Sequence, residues 1–158
     1  MKESLDEALE ELKRVDHLLF VSLKYTRTVD VLMNTLSRMI DSYDRLIETL
    51  LRLALEEKKI PAIPKTPRER ADLVKQVYDD QKIRDNVDLY SLMRKIHKSN
   101  PERENEYRRH VTARTFVDGR EEIVNIDICS EYFYYLKEFY EHVKTMTVEF
   151  EEKHNKGK

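Results

Sequence analysis

The sequence predicts a mostly α fold: an up-and-down bundle of four to five helices, with one β-hairpin at about 111–127 just ahead of a long C-terminal helix. Three observations predict it. Leucines and other apolar residues recur at three- and four-residue steps along most of the chain, the period of a helix with one buried face. Asp118-Gly119 stands between runs that alternate apolar and polar side chains, the strongest short hairpin signal a sequence offers. Polar and proline-bearing breaks fall between the periodic stretches.

Leu5, Leu9, Leu12, Leu19 and Leu23 mark a first helix from about Ser4 to Tyr25. Val31, Leu32, Leu36, Met39, Ile40, Tyr43, Leu46, Ile47, Leu50, Leu51 and Ala54 mark a second and longer one from near Thr28 to Lys58. The pattern leaves open whether Lys24–Arg27 separates them. Ile60–Lys65 is a proline-stiffened connector. Thr66, Pro67 and Glu69 then have the spacing of a capping box with proline at the first helical position. The third helix uses Ala71, Leu73, Val74, Val77 and Tyr78. A polar break at Asp79–Asp85 follows, and Asp85 or Asn86 is the expected cap of a fourth helix, whose apolar face is Val87, Leu89, Tyr90, Leu92, Met93 and Ile96. Pro101 suits another first helical position. After the hairpin a last helix runs from about Ser130 to Lys153 on Phe133, Leu136, Phe139, Tyr140, Val143, Met146 and Phe150. Residues 1–153 read as one domain, and the tail 154–158 is expected to fray.

Composition narrows the function. A chain of 158 residues, 40% hydrophobic and 38% charged, is long enough for a core and polar enough to be soluble. No apolar run reaches the ~18 residues a membrane span needs. The acidic, amphipathic start, MKESLDEALEELK, does not read as a signal peptide, so a cytoplasmic setting is expected. Cys129 is the only cysteine, which excludes an intrachain disulfide. With Gly119 and Gly157 the only glycines, phosphate-cradling loops, dinucleotide fingerprints and a nucleophile elbow are excluded, since each needs glycines at fixed spacing. No small-molecule cofactor is expected. The Lys/Glu-rich, Gln-poor composition points to a thermophile.

One stretch is basic. Between 94 and 114, Arg94, Lys95, Lys98, Arg103, Arg108, Arg109 and Arg114 face only Glu102, Glu104 and Glu106, a local charge of +4 in a chain of −2. Such a field attracts polyanions, while the overall balance argues against indiscriminate coating of nucleic acid. Within the stretch, six residues lie between Arg103 and His110. Metal-free RNA cleavage needs such a pair: a histidine to move the proton of the 2′-hydroxyl or the leaving 5′-oxygen, and an arginine to stabilise charge on the phosphate. Arg94, Lys98, Arg108, Arg109 and Arg114 would hold the RNA backbone. The bland reading is a solvated basic corner, with His110 merely flanking the hairpin.

The last helix carries six aromatics between Tyr132 and Tyr140. One helix face cannot bury them all, so Tyr132, Tyr134 and Tyr135 are candidates for a subunit interface, for base stacking, or for core packing. No metal site is expected. The histidines are scattered, Glu138/His142 reads as a surface contact, and Asp41, Asp44 and Glu48 read as a solvated face more than a two-metal edge. Cys129 reads as a small buried residue.

These pieces resemble the HEPN (higher eukaryotes and prokaryotes nucleotide-binding) family of helical bundles, common in archaea and bacteria. The resemblance rests on paired long N-terminal helices, an Arg-x(4–6)-His motif in Arg103 and His110, and a long last helix. It implies an RNA-directed protein and a metal-independent endoribonuclease site on Arg103 and His110, with Glu104 as the polar residue after the arginine, completed across a homodimer. It also leaves an alternative, since many members have lost catalysis and act as binding partners for a nucleotidyltransferase. Asp44-Arg45-Leu46 also resembles part of the ribonuclease III signature helix. Ile47 and Leu51 stand where that family has carboxylates, which implies a degenerate domain without its metal chemistry.

Overall fold

The computed structural model describes residues 1–156, and Gly157 and Lys158 of the expected tail lie outside the described residues. Five helices and a small antiparallel sheet follow one another as the periodicity predicts. Helix α1 spans Lys2–His17, then widens into a π-helical stretch, Leu18–Ser22, and closes with a turn at Leu23–Tyr25. Thr26–Thr28 breaks the chain, which resolves the open question there. Thr28 caps α2, Val29–Glu56, by accepting from the Val31 amide at 3.2 Å.

Helix α2 is the hub, touching every other helix. Its leucine face is buried from Leu32 to Ala54. Small polar residues let α1 lie close along it: Ser4 and Thr49 share a hydrogen bond of 2.7 Å, and the Ser42 hydroxyl donates to the Ala8 carbonyl. Such satisfied groups cost little when buried.

Helix α3, Pro67–Val77, starts as its sequence predicts, the Thr66 hydroxyl accepting from the Glu69 amide. Helix α4, Gln81–Lys98, starts earlier than expected. Asp80, not Asp85 or Asn86, accepts from the Ile83 amide, and this brings Ile83 into the core. Asn86 is instead buried inside the helix, where its side chain accepts from the Tyr43 hydroxyl at 2.7 Å. Tyr43 also lies 6.0 Å from the Tyr90 ring and 5.7 Å from Phe139, so these rings join α2, α4 and the last helix.

The expected hairpin is present as β2, Thr112–Val117, and β3, Arg120–Val124. Val117 pairs with Arg120, and Asp118 and Gly119 between them both take positive φ, 53° and 79°, which a tight two-residue turn requires. A third strand was not expected. Pro101 opens no helix, because β1, Glu102–Glu104, adds to the edge of β2 with Arg103 opposite Ala113. Helix α5, Ile126–Lys156, begins four residues before the predicted Ser130, since the Asn125 side chain takes the Ile128 amide at 2.8 Å. It also passes the predicted end at Lys153. Among the described residues no helix is long and apolar enough to cross a membrane.

Candidate functional site

The basic stretch is not uniformly free charge. Arg103, on β1, donates to Asp30 at 2.5 Å and to Glu106 at 3.1 Å. The hydrogen bond to Asp30, then that to Glu106, raises the Arg103 pKa, and the same contact lowers that of Asp30. Glu106 reaches further, accepting from the Val29 amide at the start of α2. The Tyr107 amide donates to the Arg27 carbonyl at 2.6 Å and holds Tyr107 at a positive φ of 66°. The segment after β1 is therefore stitched to the break between α1 and α2.

Arg114 is similarly committed, to Glu104 at 2.8 Å and to Glu121. Lys95 pairs with Asp118. Arg94 lies over the Tyr90 ring at 5.7 Å, away from the hairpin, in a half-buried group with Asp44. There burial raises the Asp44 pKa despite the Tyr90 hydroxyl bonded to it. Lys98 and Arg108 are exposed, and neither is in an ion pair among the described residues.

Arg109 and His110 do enter a concavity. A cleft of about 590 Å³ opens between the end of α1, the segment before β2 and the start of α5. Lys24, Arg27, Arg109 and His110 line it, with Asp127 as its one carboxylate. Leu19, Leu23, Phe20 and Ile126 contribute apolar carbon to its lining. The Nε of Arg27 is buried without a hydrogen-bond partner among the described residues. Asn125 and Ile126 bring the amino end of α5 to the same cleft, where backbone N–H groups favour anions. Arg103 does not line it, so the structure does not bring Arg103 and His110 together on one cleft wall.

Lys24, Arg27 and Phe20 were not legible as site residues. They stand between 83 and 90 positions before His110, and nothing in the apolar run at 18–21 marks Phe20 as part of a site. The available signal was Lys24-Tyr25-Thr26-Arg27 itself, two cations and an aromatic at a helix break.

The aromatic face of α5 divides. Tyr132 packs half-buried against the core, and burial pushes its pKa up to about 12. Tyr134 and Tyr135 stand outside, edge to face at 6.0 Å, with hydroxyls on Glu138 and Glu131. Tyr134 borders a second groove, about 750 Å³, whose floor is Leu9, Leu12, Phe133 and Tyr140. Cys129 is buried, and burial lifts its thiol to about 12. Among the described residues no three His, Cys, Asp or Glu side chains are grouped to hold a metal ion. Glu48 is paired with Arg45 and Arg52, and Asp44 with Tyr90. Comparison with protein-family models, curated proteins and solved structures finds no match to this chain.

Proposed function

We propose that the chain is an RNA-directed protein of the HEPN type, acting as a metal-independent endoribonuclease at the cleft that holds His110. The observation that carries this reading is the convergence of Lys24, Arg27, Arg109 and His110 on one cleft with a single carboxylate. Three cations around one cleft suit a phosphodiester, which accepts charge-assisted hydrogen bonds from guanidinium and ammonium groups. Histidine is the side-chain type that exchanges protons near neutral pH.

In this reading His110 takes the proton of a ribose 2′-hydroxyl. The freed oxygen attacks the adjacent phosphorus, the bond to the 5′-oxygen breaks, and that oxygen takes the proton from the His110 imidazolium. The products are a 2′,3′-cyclic phosphate and a 5′-hydroxyl. Arg27 and Arg109 stabilise the charge that gathers on the phosphate oxygens. Arg103 acts as a positioning residue: its bonds to Asp30 and Glu106 hold the segment that presents Arg109 and His110.

The test is cleavage of single-stranded RNA with and without EDTA by the wild type and His110→Ala. Cleavage that survives EDTA and disappears in a folded His110→Ala protein supports the site. Equal cleavage by the variant refutes it.

A second reading, a dimeric or protein-binding module without catalysis, draws on exposed Tyr134 and Tyr135 beside the apolar groove of α1 and α5. Tyrosine is enriched at such interfaces. Undetectable RNA affinity at low salt, with a shift from dimer to monomer in Tyr134→Ala/Tyr135→Ala, would favour it.

A further inference from the structure

We infer that the apolar part of the His110 cleft is a subsite for one unpaired nucleobase, formed by Phe20 and Ile126 above the buried Leu19 and Leu23. This rests on the reading of the cleft as an RNA site. The cleft lining is chemically mixed: Lys24, Arg27, Arg109 and His110 stand among the aliphatic and aromatic carbon of Leu19, Phe20, Leu23 and Ile126. A nucleotide has the same mixture, a phosphate joined through its ribose to a flat base with an apolar face. At about 590 Å³ the cavity is within the 300–1,000 Å³ range of small-ligand sites and far too small for a duplex.

Phe20 is the distinctive element. An apolar ring beside a core normally turns inward, yet Phe20 is 60% exposed while its neighbours Leu19 and Leu23 are buried. Leu19 and Leu23, four residues apart, continue the buried line of Leu12 and Val15, and Phe20 lies off that line. Its ring lies 6.5 Å from Phe133, tilted at 59°, which steadies one edge and leaves a face for stacking.

Two further rings flank the cations. Tyr25 is 79% exposed and follows Lys24 directly, and Tyr107 is 78% exposed on the residue whose amide is bonded to Arg27. Exposed aromatics interleaved with cations are the pattern of single-strand recognition, in which bases stack on rings while the backbone follows positive charge. A duplex keeps its bases stacked inside and offers none to Phe20. Asp127 opposes a second phosphate in the cleft and can accept from a ribose hydroxyl or a base amino group.

The test uses the full chain and three probes at low salt: a short single-stranded RNA containing 2-aminopurine, its annealed duplex, and the same strand with one abasic ribose at the labelled position. The expected result is single-strand binding with a change in 2-aminopurine fluorescence. Duplex and abasic strand should each bind about tenfold more weakly. Phe20→Ala should lose a similar factor on the single strand and nothing on the abasic strand. Should Phe20→Ala not fold, the wild-type comparison of intact and abasic strands reads the same contact. Equal affinity for all three probes, with Arg27→Ala still weakening each, overturns the base subsite and leaves the RNA reading standing. No binding of any probe overturns both.

Discussion

Glu106 ties the segment before β2 to the start of α2, and replacing it with alanine gives a sharp test. One carboxylate oxygen accepts from the Val29 amide at 3.0 Å, the other from Arg103 at 3.1 Å. Val29 is the first residue of α2, so its N–H has no partner within the helix. The side chain of Glu106 is 27% exposed, which admits some water in its place. A hydrogen bond to a charged group contributes roughly 1.5–3 kcal/mol, and partial exposure puts Glu106→Ala at the low end, about 1.5 kcal/mol. At about 2–4 °C per kcal/mol for a chain of this size, the melting temperature should fall by about 3–6 °C. Glu106→Gln keeps an acceptor and loses the charge, so it should fall by about half as much. Thermal denaturation gives the shift, and amide hydrogen exchange locates it. Faster exchange should appear at Val29 and Tyr107, since the Tyr107–Arg27 bond depends on the same anchored segment. A melting temperature within about 1 °C of wild type, with both amides unchanged, would refute the reasoning.

Further outcomes follow from other contacts. Tyr43→Phe removes the donor to buried Asn86 and should cost about 1–3 kcal/mol in urea denaturation, because the amide oxygen is left without its partner. Asp44 has its pKa raised by burial, which outweighs the Tyr90 hydroxyl and the nearby arginines. A raised folded-state value means its contribution to stability is present below the unfolded-state pKa and is lost as pH rises through the folded one. Asp44→Asn, which keeps an acceptor for Tyr90, should thus match or exceed wild-type stability at neutral pH, and the gap should close in acid. Loss of stability at neutral pH alone would contradict this sign. Arg103→Ala should slow RNA cleavage less than His110→Ala does, and Arg103→Lys should recover part of the loss, since it keeps a cation between Asp30 and Glu106.

Much of the fold was legible because it depends on period and turn chemistry. The spacing from Val31 to Ala54 could serve only a helix buried along one face, and Asp118-Gly119 supplied the two positive φ values the turn needs. The start of α4 was misplaced because Asp80, Asp85 and Asn86 are all plausible caps by type. Packing decided among them, since Ile83 and Asn86 are both needed inside. Strand β1 carried no local signal: Glu102-Arg103-Glu104 has no apolar alternation and becomes a strand through pairing with β2. In the site, Arg109 and His110 were visible as neighbours in sequence. Their companions Lys24, Arg27 and Phe20 join them through a tertiary route, from the break before α2 to Glu106 and Tyr107, which no single-sequence period encodes.

The most direct test of the central claim is the salt dependence of RNA binding. A short single-stranded RNA should be titrated at several ionic strengths against the wild type and against a Lys24→Ala/Arg27→Ala/Arg109→Ala protein whose folding has been verified. Three phosphate-facing cations at about 0.7 per contact predict that the triple variant loses about 2 from the slope of log affinity against log salt, and binds weakly even at low salt. Equal slopes and equal affinities for the two proteins would contradict the assignment of this cleft to RNA.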